Sequence, residues 1–450
     1  MSSSNAGKRK RRSEEKGNPN SDVDAARSGL VSLNGLSYLL SPDLSVAVSR
    51  KHVTSFAQQN SYSPGQKISL ILNSGAQYID PQNSFLKLTV NNITDVAGEF
   101  GLGSAVNLFR RVVLSSRSGD EIERVDRVNK RQVILDRYTK DKSWMATVGS
   151  AAGYAPTGSG GITAENYNAI LPSTSTDGSN TRTYCIPLGC LSSLFRSYDK
   201  LLPAHLMSGM RWELELESAQ VAFKATGGTL NYVVSDVELH MDAYTLTDSV
   251  TRVLNETAAT SGLEIPFVTY SHIQDSVSEG SNNFEIRKAV SRALTIITKL
   301  SANENFAGQD AKDSMASIEH NIESIQTRVG SLYFPNNPVS GASRDRTLTE
   351  TYLHTLHAFG KLKAHSAPNS VSLDEFKNKL TAFCTTLERS SSLNLTGVPV
   401  NASRVCEVRM KVGQASNTTD AIPASDQVCD SWLSYVRLIR CFINNVEVEE

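Results

Sequence analysis

Two sets of side chains have the types and spacing that metal or acid–base chemistry uses. His354 and His357 lie three residues apart in a predicted helix, a spacing that lets two imidazoles share one metal ion. Glu213, Glu215 and Glu217 form a carboxylate row on the outward side of a predicted strand. The histidines have no third ligand nearby in the sequence, and a carboxylate row of this kind is typical of a solvated or contact surface. We therefore predict no metal site and no cofactor.

Motifs of the common enzyme classes are missing from the sequence. There is no Walker loop, no HExxH and no GxSxG, and Gly101-Leu102-Gly103 is not followed by the rest of a dinucleotide fingerprint. The six cysteines form no CxxC pair and no Cys/His cluster with zinc spacing, which predicts reduced, structural thiols. We expect a protein that is not an enzyme and has no catalytic residues.

The N-terminal segment is basic, whereas the rest of the chain is mildly acidic. Residues 1–27 carry seven basic and four acidic residues, although the formal net charge of the whole chain is −1. They contain almost nothing to bury, so we predict a disordered arm over residues 1–30. The five contiguous residues Lys8, Arg9, Lys10, Arg11 and Arg12 favour a nuclear import signal or contact with nucleic-acid phosphates. A solvated tail without a function is the third interpretation.

The elements that position these residues are mainly strands. Residues 184–217 begin with an apolar strand and pass through a short amphipathic segment. They end in a faultless alternation, in which Trp212, Leu214 and Leu216 face away from the charged positions. That period of two predicts a half-buried antiparallel strand. Further strands are predicted at 61–72, 84–90, 107–114, 229–246, 265–270, 284–300, 325–334, 404–412 and 432–443.

Helices are predicted only at 126–138 and 347–362, and residues 247–262 form a polar segment. Residues 147–182 are predicted to be a long loop, either functional or disordered. About fourteen candidate strands, few short helices and long polar loops favour an all-β protein with β-sandwich architecture. No run approaches the roughly 18 apolar residues of a membrane helix, and the N-terminus lacks the apolar core of a signal peptide, so we expect a soluble protein made in the cytoplasm or nucleus.

Three passages resemble a known family. They are SPGQKISLILNSGAQYIDPQNSFLKLTV, GSAVNLFRRVVLSSRSGDEIERV and IPLGCLSSLFRSYDKLLPAHLMSGMRWELELE. The first two resemble the opening strands and the following hairpin of jelly-roll major capsid proteins of icosahedral viruses. The third is similar to a passage of eukaryotic DNA-virus capsid proteins, including those of Polinton-like viruses and virophages. The resemblance covers residues 58–246 and extends to the second half only in style; a small single-stranded DNA virus is the other source considered.

The resemblance implies a shell protein that self-assembles around a genome, with itself as its main partner. Two tandem jelly rolls, at 58–248 and 262–450, would give trimers or higher capsomers in an icosahedral lattice. The alternative is a single jelly roll with large insertions. Further implied partners are the viral genome, bound through the N-terminal arm, minor capsid proteins and nuclear import receptors. The implied location is the virion, assembled in the host nucleus or cytoplasm.

Contact roles are predicted for three elements: the C-terminal strand, the 147–182 loop and the carboxylate row. The competing hypothesis from another class is a non-viral β-sandwich that acts as a binding or interaction module in the nucleus. It explains the strands and the import signal, but it does not explain the shell-like passages. A clean monomer across salt and pH would favour it.

Overall fold

Alternation along the sequence sets the architecture, because a segment with one apolar face must bury that face against another element. The structure is a computed structural model that describes residues 47–72, 77–116, 119–154, 170–174, 180–198, 200–203, 206, 209–225, 228–303, 313–317, 322–341, 348–362, 371–388, 397–413, 427–443 and 445–450. The predicted arm at 1–30 lies outside these residues.

The first half of the described chain forms two antiparallel sheets that face each other. Its strands are β1 (Ala47–Phe56), β2 (Ser61–Tyr62), β3 (Lys67–Leu72), β4 (Tyr78–Asn92), β5 (Gly98–Glu99), β6 (Phe109–Ser115), β7 (Glu121–Asp126), β8 (Ile170–Leu171), β9 (Thr181–Pro187), β10 (Met210–Leu216), β11 (Lys224–Ala225) and β12 (Tyr232–Leu246). One sheet has the order β1-β12-β4-β9, with β2 also paired to β12, and the other has the order β3-β10-β6-β7. A small third sheet joins β11, β5 and β8.

The second half repeats this arrangement. Its strands are β13 (Leu263–Ser276), β14 (Gly280–Ile286), β15 (Val290–Ala302), β16 (Ile322–Val329), β17 (Leu332–Ser340), β18 (Phe383–Thr386), β19 (Val398–Val400), β20 (Cys406–Val412), β21 (Gln427–Phe442) and β22 (Asn445–Glu449). One sheet has the order β13-β21-β15-β18, with β19 paired to β15 and β22 to β21. The facing sheet has the order β14-β20-β16-β17.

Both halves have the same connectivity. When the main strands of each half are counted from one to eight, one sheet is ordered 1-8-3-6 and the other 2-7-4-5, with β18 and β19 sharing the sixth place in the second half. This is the eight-stranded jelly roll, in which two Greek keys wind into one sandwich. The predicted all-β jelly-roll fold is confirmed, in its version with two tandem rolls.

The helices lie mostly in the connections between strands. They are α1 (Val128–Thr139), α2 (Lys142–Ala146), α3 (Val148–Ala151), α4 (Ser193–Ser197), α5 (Ala219–Ala222), α6 (Asp248–Thr260), α7 (Thr349–Ala358) and α8 (Leu373–Asn378). The longest is α6, at residues predicted only as a polar segment. Ala258 is its one buried residue, so the apolar period that announces a helix is weak there.

Two segments that were predicted as single strands each form two strands in the structure. Residues 284–300 divide at the polar pair Arg287-Lys288: β14 lies in one sheet and β15 in the facing one. Residues 325–334 divide at Gly330, whose φ of 60° forms the turn between β16 and β17. Pro335, predicted to stop the strand, lies inside β17. Because β17 is an edge strand, the missing N–H of proline interrupts no ladder.

Strands of the first roll run between Ala47 and Leu246, and those of the second between Leu263 and Glu449. Residues 47–450 form one compact unit. The domain limits 58–248 and 262–450 stay a prediction.

Candidate functional site

The two jelly rolls meet along a layer of buried polar side chains, which we call the seam. Helix α1 forms one side of it, and the outer face of the sheet containing β13, β21 and β15 forms the other. Lys130 Nζ lies 3.0 Å from Asp430 Oδ2, and their side chains are 1% and 0% exposed. His272 Nε2 lies 2.9 Å from the other carboxylate oxygen of Asp430. The Ser301 hydroxyl donates to Asp430 as well, so both oxygens of the carboxylate have partners.

The charges of the seam are set by burial and by neighbouring groups. Burial acts to raise the pKa of Asp430, but the Lys130 charge and the His272 hydrogen bond outweigh it, and the pKa lies well below its usual range. Lys299 donates to the carbonyl oxygen of Met315 at 2.7 Å. Burial and the nearby Lys130 charge lower the pKa of Lys299 to about 7.

A second buried ion pair lies at the end of β10. Arg127 Nη1 is 3.1 Å from Glu217 Oε2, and the Asn129 amide donates to the same oxygen at 3.0 Å. Glu217 is 2% exposed, so its predicted outward orientation is wrong. The pairing of β10 with β6 shifts register between Glu215 and Leu216, and the strand ends there, so the alternation no longer directs Glu217 outward.

Glu123 of β7 joins three elements. Its carboxylate accepts from the Ser193 backbone N–H at 2.9 Å and from the hydroxyls of Ser192 and Thr269. These contacts connect β7, the start of α4 and strand β13 of the second roll. The same region holds Trp432, whose indole N–H donates to the carbonyl oxygen of Asp126 at 3.3 Å. The seam therefore fixes the two rolls to each other.

The equivalent face of the first roll is open. Along β1, Arg50 and His52 have side chains 61% and 48% exposed. Among the described strands, β12 is the only one that pairs with β1, so the other edge of β1 is free. The edge strand β17 of the second roll is also exposed, with Leu332 and Tyr333 on it. One roll thus offers a free first strand and the other a free fifth strand.

The residues predicted from sequence have different outcomes. Lys8, Arg9, Lys10, Arg11 and Arg12 lie outside the described residues, as does most of 147–182. Strand β21 pairs with β13 on one side and β15 on the other, so it offers no free contact edge. All six cysteines are free thiols, five of them buried and Cys185 half-buried.

His354 and His357 both lie on α7. The Glu350 carboxylate lies 4.0 Å from His354 Nε2. Among the residues described, no group of three metal-ligating side chains is found. The described chain likewise contains no helix that is long and apolar enough to cross a membrane.

Sequence reasoning missed the histidines that do meet, His52 and His240. They lie on β1 and β12 and are 2.9 Å apart between Nε2 and Nδ1. The alternating Glu238, His240 and Asp242 on β12 were visible in the sequence. The partner strand β1 could not be recognised from the sequence, because its exposed residues show no apolar period.

Comparison with solved structures finds the same fold in viral proteins, although no protein-family profile and no curated protein sequence match the chain. A structure from the Sputnik virophage, solved by cryo-electron microscopy, has a TM-score of 0.60 at 10% identity, covering 91% of this chain and 92% of that one. A chain of the PBCV-1 virus capsid has a TM-score of 0.58 at 9% identity, covering 89% and 96%. The chain has a viral capsid-protein fold. The Faustovirus major capsid protein has a TM-score of 0.57 at 8% identity, covering 88% and 91%. These matches span both jelly rolls.

Proposed function

We propose that this protein is a major capsid protein that self-assembles into an icosahedral shell around a viral genome. The observation that carries the proposal is the pair of tandem jelly rolls, matched over about nine tenths of the chain by the Sputnik, PBCV-1 and Faustovirus structures. The role is structural and not enzymatic. It needs complementary contact surfaces that repeat in every copy. Each contact is weak alone, and the sum over many copies makes the shell stable.

The first subunit contact follows from the contact between the rolls within one chain. Inside the chain, β13 (the first strand of the second roll) packs beside β7 (the fifth main strand of the first roll). The two strands that lack this partner are β1 and β17. We propose that β17 of one copy packs beside β1 of the next.

This contact is head-to-tail, so it forms a ring if the rotation closes. Each chain contributes two rolls, so a ring of three chains contains six. Neighbouring rolls all make the same contact, between the first strand of one roll and the fifth strand of the next. A trimer of this kind has nearly sixfold shape and can tile a shell. The proposed capsomer is a trimer, which is what the resemblance to double jelly-roll capsid proteins implies.

The test is the mass of the protein in solution, measured by light scattering on a size-exclusion column. We expect a species of three times the 48.9 kDa chain mass. Phe56→Asp places a charge on the 68% exposed end of β1 and should weaken the trimer by about 3 kcal/mol or more, roughly a hundredfold in affinity. Val253→Asp, at a 57% exposed position on α6, is the matched control and should leave the trimer intact. A parent protein that stays monomeric, or equal loss in both variants, would contradict the proposed contact.

We further propose that Lys8, Arg9, Lys10, Arg11 and Arg12 contact the packaged nucleic acid or serve as an import signal, with the virion as the final location. Five adjacent positive charges support salt-dependent phosphate contact multiplied over many copies. Replacing all five with alanine should abolish co-purified nucleic acid, seen as a lower 260/280 nm absorbance ratio, if the arm packages. If the arm serves import alone, the ratio stays unchanged and a fluorescent fusion loses nuclear accumulation. Replacing Lys16 and Arg27 is the control, and loss of neither property in the fivefold variant would contradict both roles.

A further inference from the structure

Four imidazole nitrogens on the open face of the first roll form a chain of hydrogen bonds between two carboxylates. His52 Nδ1 lies 3.3 Å from Asp242 Oδ1, and His52 Nε2 lies 2.9 Å from His240 Nδ1. His240 Nε2 lies 2.8 Å from Glu238 Oε2. The register explains the arrangement: His52 stands directly opposite Asp242, which puts it diagonally across from His240. The Phe85 ring stacks on His240 at a centroid distance of 4.8 Å and fixes its plane.

The partners of the ring nitrogens fix the number of protons on the pair. Ionised carboxylates only accept hydrogen bonds, so the two outer nitrogens must each carry a hydrogen. The two inner nitrogens face each other and need one donor and one acceptor. A chain in which all three contacts are hydrogen bonds needs three N–H groups on the two rings, which gives the pair one positive charge.

We propose that His52 and His240 form a one-proton clasp that holds edge strand β1 on its sheet and releases it when a second proton binds in acid. With four N–H groups, two donors face each other at the inner contact, and both rings are positively charged. The hydrogen bond between the rings is then replaced by repulsion. Strand β1 then loses its histidine connection to β12 and keeps the Arg50–Asp242 ion pair.

Charged side chains on the neighbouring strands determine how much positive charge the histidine pair can accommodate. From β1 itself comes Arg50, which is ion-paired with Asp242. Lys87 of β4 lies 3.0 Å from Glu238. The titratable or charged groups that face the pair or its partners are Arg50 on β1, Asp80 and Lys87 on β4, Cys185 on β9, and Glu238, Asp242 and Tyr244 on β12. The two carboxylates that contact the rings are already matched by Arg50 and Lys87, so the pair accommodates one extra positive charge more easily than two.

The clasp also regulates the subunit contact, and this consequence rests on the proposed function. Strand β1 supplies the free edge to which β17 of the next copy would bind. A clasp that opens in acid therefore loosens the capsomer at the pH where histidines gain protons. Closed at neutral pH, it keeps the contact strand in place.

Hydrogen–deuterium exchange of the full-length protein measures the clasp directly. Exchange of the β1 amides bonded to β12 is compared at about pH 7.5 and about pH 5, after correction for the intrinsic pH dependence of exchange. We expect at least a roughly tenfold faster corrected rate in acid, equivalent to about 1.4 kcal/mol. His240→Gln keeps a donor toward Glu238 but removes the inner nitrogen, so the acid response of β1 should disappear. His354→Gln, on the second roll, should keep the response of the parent.

An acid response that persists in His240→Gln, or a parent β1 that exchanges equally at both pH values, would overturn the clasp. Amides of β13 are the internal reference and should show no such change. Exchange in β1 is a property of one chain, so it can be measured even if the protein proves monomeric. A monomer with an acid-opened β1 would refute the proposed subunit contact and retain the clasp. A trimer in which β1 exchanges equally at both pH values would retain the proposed subunit contact and refute the clasp.

Discussion

Glu217 is buried, so its negative charge needs a positively charged or hydrogen-bonding partner. It is 2% exposed, and Arg127 and Asn129 bind the same oxygen. Removing one partner of a buried pair leaves the other charge without compensation, which costs more than the pair itself contributes. Glu217 is therefore a structural residue of the roll, although its row on β10 resembled a surface.

Glu217→Gln should lower the free energy of unfolding by about 3 kcal/mol, because the buried Arg127 guanidinium loses the carboxylate that lies 3.1 Å from it. Glu213→Gln removes the same charge from a 31% exposed side chain and should change stability by less than about 0.5 kcal/mol. Urea denaturation followed by circular dichroism measures both. Equal losses in the two variants would contradict the assignment.

Lys299 predicts a pH dependence of stability. Its pKa is about 7 in the folded protein and near 10.5 in the unfolded chain, so between these values the unfolded chain binds more protons. The Lys299 contribution to stability therefore rises as the pH rises through this window. Below pH 7 the cost of burying the charge is fully present.

Lys299→Met should consequently be more stable than the parent at pH 7. The advantage should shrink by up to about 1.4 kcal/mol per pH unit toward pH 10, because over this range the folded lysine is neutral while the unfolded one still binds a proton. Thermal unfolding of parent and variant across this range gives the difference, in which the titrations of other groups cancel. A difference that stays constant with pH would contradict the lowered pKa.

At the scale of elements, helix α1 is buried between the rolls, whereas α6 has one buried residue. Ile134 of α1 is fully buried in a cluster with Trp432 and Ile297 of the second roll. Val253 of α6 is 57% exposed. Burial in the cluster joins α1 to both sandwiches.

Ile134→Ala should lower the free energy of unfolding by about 2–5 kcal/mol, since it leaves a cavity in this cluster. Val253→Ala, also in a helix, should change it by less than about 0.5 kcal/mol. Chemical denaturation measures the difference. If both variants lose the same amount, α1 does not join the rolls in the way described.

The success of sequence reasoning varied with the kind of element. Strands with one buried face, such as β4 and β10, were predictable because Leu86 and Leu214 fall on a strict period of two. The division of 284–300 into two strands was not, since the polar pair Arg287-Lys288 between β14 and β15 is no stronger a break than the polar positions inside a strand. The second face of β15 is buried by the other roll, a contact between residues far apart in the chain. For the same reason Lys130 and Asp430, which are 300 positions apart, could not be paired from the sequence.

For the whole molecule, the repeat of one roll by the other is the central feature. The second roll has its sheet of β13, β21 and β15 covered, whereas in the described part of the chain the equivalent face of the first roll is only half-buried. A molecule with one satisfied and one unsatisfied copy of the same contact is suited to bind a second copy of itself. The strands that would meet are β1 and β17.

Mixing two edge variants tests this directionality. Phe56→Asp disables the β1 edge and keeps β17, whereas Tyr333→Asp disables β17 and keeps β1. Each should be monomeric alone, but their equimolar mixture should form two-chain complexes through the one intact contact, detectable by native mass spectrometry. A mixture that stays monomeric would contradict the proposed pairing of these edges.

The most direct test of the shell function is electron microscopy of the purified full-length protein, with its mass measured by light scattering at neutral pH. The account predicts trimers of three times 48.9 kDa with nearly sixfold outline, and closed icosahedral particles built from them as concentration rises. Monomers alone, across salt concentration and pH, would contradict it.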